Sequence, residues 1–120
     1  MNGPTFTGGA NVALKLPERL YRQTLEFYRD TLGLSVEEKG DDLSIVDFGP
    51  IRLSLDRVPR QSQPDIWLQL ETPDTGAAKR ALERAGVTIC DEVEPLPEGF
   101  DGFWIAAPSG TIHLVDGTAS

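Results

Sequence analysis

The 120-residue chain holds one histidine, His113, and one cysteine, Cys90, so chemistry that needs a pair of either must find its partners elsewhere. His113 stands in a strand-like stretch, TIHLV, and Asp65 opens another, DIWLQL. Set across a sheet from each other, they would form a general base with its orienting carboxylate, or a hydrogen-bond anchor for a ligand. The plainer alternative is a half-buried imidazole bonded to a neighbour. Trp67 and Trp104 carry flat faces on which a planar or cationic guest could stack, or with which they could simply fill the interior. Lys15, Arg52, Asp56, Gln69 and Glu71 fall at strand positions that alternation places on one face, a polar floor suited to a zwitterion or a polycation. At strand ends, Lys15, Asp56 and Glu71 can equally well just reach water. Cys90 lies in the apolar-alternating VTICDEV and reads as a core filler. No glycine-rich phosphate loop and no nucleophile elbow accompany these residues.

Two repeated stretches position them. NVALKLPERLYRQTLEFYRDTLG, from Asn11 to Gly33, reads as a strand, a proline at the start of a helix, an amphipathic helix with Tyr21, Leu25, Tyr28 and Leu32 on one stripe, and a glycine stop. A cruder copy, DIWLQLETPDTGAAKRALERAG, begins at Asp65, with its opening strand at an offset of 54 residues. After the first copy come strands at Leu34–Glu38, Leu43–Phe48 and Ile51–Asp56, separated by the turns KGDD and Gly49-Pro50. After the second, strands are expected at Val87–Val93, Phe103–Ala107 and Thr111–Val115. Each half is then βαβββ: module one over 9–57, a polar, proline-bounded linker over 58–63, module two over 64–116, together one domain. Residues 1–8 read as a loose lead. One helix per strand-rich module makes the class α+β, with helices on one face of each sheet and polar residues on the other.

The bulk numbers narrow the partners. A net charge of -8 without a basic stripe argues against nucleic acid. No apolar run is long enough to span a bilayer, and the N-terminus lacks a signal-peptide pattern, so the expected setting is cytoplasmic, away from membranes. Acidity favours a cationic ligand, or merely keeps the surface soluble.

The first module resembles the opening of the vicinal oxygen chelate superfamily, which includes glyoxalase I, extradiol dioxygenases and the bleomycin- and fosfomycin-resistance proteins. FYRDTLGL is the most specific part, and the terminal PSGTIHLVD is similar to the family's turn and last strand. The resemblance spans Asn11 to Asp116 and implies a curled mixed sheet of two βαβββ modules around a cleft, commonly in a homodimer. It also implies four metal-ligand positions, usually His, Glu, His and Glu. Here those positions hold Asn11, Ser54, Asp65 and, in a segment one residue short of the usual pattern, His113. Only Asp65 and His113 are strong donors, and three or four are needed. The expectation is therefore a metal-independent, cofactor-free small-molecule-binding protein, sequestering a cationic or aromatic compound as the bleomycin-resistance proteins do. Its ligand-binding residues would be Asn11, Arg52, Ser54, Asp65, Trp67, Gln69, Trp104 and His113. The alternatives are a metal-dependent lyase, isomerase or dioxygenase of the same superfamily, and an interaction module whose cleft is closed by side chains.

Overall fold

The computed structural model describes residues 3–117. In chain order they form β1 (Thr7–Gly8), β2 (Asn11–Leu16), α1 (Glu18–Glu26), β3 (Val36–Glu38), β4 (Leu43–Phe48), β5 (Ile51–Arg57), β6 (Asp65–Thr72), α2 (Thr75–Arg84), β7 (Thr88–Ile89), β8 (Gly102–Ala106) and β9 (Ile112–Gly117). The class is α+β, with mixed parallel and antiparallel pairing, as the alternation and the two helix stripes require. The chain divides into two compact units, residues 10–67 and residues 68–117 with the N-terminal arm 3–9. No helix among the described residues is long and apolar enough to cross a membrane.

In the unit 10–67, β3, β4 and β5 form an antiparallel meander, and β2 lies parallel to β5. Helix α1 starts directly after Pro17, whose fixed φ of -59° leads into the first turn. Its last turn widens into a five-residue π-helix, Phe27–Thr31, and Gly33 ends it at φ 73°, a conformation costly for any side chain. Tyr21 and Leu25 from α1 bury themselves against Leu16, Val46, Leu53 and Leu55. Each such side chain contributes roughly 1.5–3 kcal/mol when fully buried. The Tyr21 hydroxyl is not stranded there, because it shares a 2.7 Å hydrogen bond with the buried Ser44 hydroxyl. All of this apolar packing takes one face of the sheet and leaves the other to the polar positions.

In the second unit, β6 pairs in parallel with β9, β9 with β8 and β8 with β7. Asp74 caps α2 by accepting from the Ala77 N–H at 3.0 Å, and Ala78 packs on Phe103, Ile105 and Val115. Two expectations need correction here. The strand predicted over 87–93 stops at Ile89, since Asp91–Val93 turn into a short 3-10 helix and Asp91 Oδ1 accepts from the Trp104 N–H instead of the ladder continuing. The lead is not loose throughout: Thr7 and Gly8 pair with Glu71 and Leu70, and Thr72 donates its hydroxyl to the Thr5 carbonyl at 2.8 Å.

Candidate functional site

Register decides which side chains share the polar face of the unit 10–67, because residues directly opposite in neighbouring strands project to the same side. Three rungs cross the strands. The first is Asp47, Arg52 and Asn11. The second is Ile45, Ser54, Ala13 and Trp67. The third is Leu43, Asp56, Lys15 and Asp65. Five of the expected ligand-binding residues, Asn11, Arg52, Ser54, Asp65 and Trp67, thus lie on one face of one unit.

The third rung is closed on itself. Lys15 is 3% exposed, where a strand-end lysine reaching water was one of the expected alternatives. Its ammonium lies 2.5 Å from Asp56 Oδ2 and 4.3 Å from the centre of the Trp67 ring. The indole N–H donates to Asp65 Oδ2 at 3.0 Å, which occupies one oxygen of the only ionisable group at the ligand positions of this unit. A buried cation brought out of water needs such a carboxylate and ring around it, so the four residues form one unit of charge, counter-charge and π-face. Asp56 Oδ1 is buried with no hydrogen-bond partner, which leaves the ammonium as this carboxylate's support. The expectation that Trp67 offers its face to a guest is corrected accordingly: the ring is buried, and the chain's own lysine lies over it.

The first rung is open. Asn11, Asp47 and Arg52 are all exposed. Asp47 and Arg52 stand directly opposite each other and form no ion pair within 4.0 Å. They line a hollow of about 290 Å³ together with Glu37, Ile45, Pro50 and Ile51. Asp47 and Glu37 were missed from sequence. The signal was present, since the two-residue turn Gly49-Pro50 fixes Phe48 opposite Ile51 and hence Asp47 opposite Arg52.

The remaining expected residues belong to the other unit. Gln69 and Trp104 flank Leu114 on one face of its sheet. Gln69 donates to Asp116 Oδ2 at 2.9 Å, and the buried Trp104 indole donates to the Glu94 carbonyl at 2.9 Å. His113 is on the opposite face: it pairs with Leu68 and Ile105 and shares the side of Val115, which packs against α2. Its Nδ1 lies 3.0 Å from the Thr111 carbonyl. The expected cleft-facing position of His113 is therefore corrected by the shift of one residue that the short last segment introduces; the positions facing away from the helix are Ile112, Leu114 and Asp116.

The donor set does not fit the metal that the resemblance implies. The ligand positions hold an amide, a hydroxyl and a carboxylate already bonded to an indole, and His113 points to the helix side of its strand. Among the described residues no three of His, Cys, Asp and Glu gather closely enough to hold an ion.

No family model and no curated protein matches the sequence. Solved structures match the fold. The Mn(II)-bound glyoxalase from Novosphingobium aromaticivorans is similar with a TM-score of 0.67 at 18% identity, over 98% of this chain and 42% of that one. Homoprotocatechuate 2,3-dioxygenase from Brevibacterium fuscum, in an E323L mutant, gives 0.66 at 17% identity over 98% and 34%. Methylmalonyl-CoA epimerase from Mycobacterium tuberculosis gives 0.60 at 17% over 95% and 89%. The chain thus spans under half of the glyoxalase and the dioxygenase and most of the epimerase. Its fold is like that of these three proteins.

Proposed function

We propose that this chain binds a small organic molecule at the open rung of its polar sheet face and does so without a resident metal. The observation that carries the proposal is the donor chemistry: at positions where the fold can hold an ion, Asn11, Ser54 and an indole-bonded Asp65 offer a single charged ligand. Divalent ions of the glyoxalase and dioxygenase type need more than that. The open rung, by contrast, has what a small pocket requires: a hollow, apolar lining from Ile45 and Ile51, and a few charged groups. Of the expected binding residues, Arg52 lines the hollow and Asn11 stands beside it on the same rung, while Ser54, Trp67 and Asp65 lie on the neighbouring rungs of that face. A cationic or aromatic guest held by Trp67 is disfavoured, because Lys15 already lies over that ring.

The competing reading, a metal-dependent lyase, isomerase or dioxygenase, draws on the likeness to a Mn(II)-bound glyoxalase and a dioxygenase. Elemental analysis of the purified chain, followed by Mn(II) titration, separates the two. Binding without metal predicts far less than one ion per chain and no saturable Mn(II) site. About one ion per chain, lost in Asp65→Ala, would establish the competitor. A homodimer belongs to the same proposal, with exposed Phe27, Leu32 and Phe48 on the unit 10–67 as the apolar surface it would cover; light scattering of the purified protein reads its mass directly.

A further inference from the structure

The charges around the hollow define a class of guest more narrowly than the fold does. Arg52 and Asp47 sit on adjacent strands in direct register, at a separation where opposite charges ordinarily attract, yet their side chains form no ion pair within 4.0 Å. Both line the same hollow of about 290 Å³, with Glu37 as a second carboxylate and Ile45, Pro50 and Ile51 as apolar lining. Glu37 is held 3.0 Å from the Lys39 ammonium, so Asp47 is the acid there without a cation of its own. A fork of guanidinium donors takes a carboxylate through two parallel hydrogen bonds, and an unpaired aspartate takes an ammonium. The hollow lies near the lower end of the size range of small-molecule pockets, roughly 300–1,000 Å³, which suits a guest of amino-acid size.

We infer that the guest is a small zwitterion of the α-amino-acid type, its carboxylate on Arg52, its ammonium on Asp47 and an aliphatic side chain against Ile45 and Pro50. This rests on the binding reading above and narrows it to one ligand class. An overall acidic protein would draw cations to its whole surface, but a zwitterion gains from the placement of one guanidinium beside one carboxylate. The exposed amide of Asn11, next along the rung, is in line with the carboxylate end.

The test uses the full chain, isotope-labelled, with three probes: L-leucine, its methyl ester (ammonium only) and N-acetyl-L-leucine (carboxylate only). Leucine should shift the backbone amides of residues 45–52 in a saturable way, and each blocked probe should bind about tenfold more weakly or worse, as expected for one lost charge-assisted hydrogen bond. Arg52→Ala should weaken leucine and the acetyl compound and spare the ester; Asp47→Asn should weaken leucine and the ester and spare the acetyl compound. Both positions are exposed, so both variants keep the fold. Equal binding of ester and leucine, unaffected by Arg52→Ala, would overturn the zwitterion and leave a cation-binding face. Silence of these amides toward all three probes also overturns it. Silence extended to a panel of neutral, cationic and aromatic compounds would take the binding reading down as well.

Discussion

Lys15 shows how burial changes the meaning of a charged residue. On the surface its pairing with Asp56 would be worth little. At 3% exposure, removing one partner leaves the other charge without support, and Asp56 already has one oxygen without a hydrogen bond. Lys15→Met should therefore lower the unfolding free energy by about 2–3 kcal/mol in denaturant titration, allowing for an Asp56 that is one-fifth exposed. Lys15→Met combined with Asp56→Leu should recover part of that loss; a double variant no better than the single one would mean the pair is not acting as a pair. Cys90 gives the opposite case, a reactive residue type made inert. Burial first, then the neighbouring Glu92 and Asp91, push its thiol above the ordinary value. A raised pKa keeps the protonated form to higher pH, so alkylation of the folded protein by iodoacetamide at pH 8 should be far slower than that of a free thiol and should quicken on unfolding. The sequence exposed Cys90's surroundings through its alternating neighbours, but it could not show that Lys15 is sealed, because the residues enclosing it, Asp56 and Trp67, come from strands distant in sequence.

Among the elements, those set by local rules were legible and those set by distant partners were not. Gly33 and Gly86 end the helices with φ of 73° and 83°, as a glycine after a periodic stripe suggests. The repeat beginning at Asp65 gave the second strand and helix. The face of His113 is not legible in the sequence, because a period of two turns a one-residue offset into a reversal of sides. Strand β7 is shorter than the alternation of VTICDEV suggests, because the Trp104 main chain and indole draw Asp91 and Glu94 into a turn over them. β1 leaves no mark in the sequence, because TFTGG carries no apolar alternation; its partner is β6, some sixty residues on. That pairing makes a prediction at this scale. Thr72→Val, which removes the hydroxyl bonded to the Thr5 carbonyl, should cost about 1 kcal/mol and speed amide exchange at Thr7 and Gly8, with the β4–β5 ladder unaffected.

For the whole molecule, fold and function were legible to different degrees. The doubled βαβββ pattern and FYRDTLGL were enough to anticipate the fold, and structural neighbours at 17–18% identity bear it out. A shared fold leaves the guest open, since sites are grafted onto folds. What the three rungs add is a gradient across one sheet face, from charges satisfied internally to charges left available. The pairing of β1 with β6 also bears on how the protein is made. Thr7 and Gly8 leave the ribosome about sixty residues ahead of Leu70 and Glu71, which at 5–20 residues per second is a wait of roughly 3–12 seconds. During that interval α1, the meander and the β5 side of β2 have their neighbours at hand, while the arm has none. The arm's edge is then a nascent, unpaired strand, and crowded translation of this message would be the condition most apt to join it to the wrong chain.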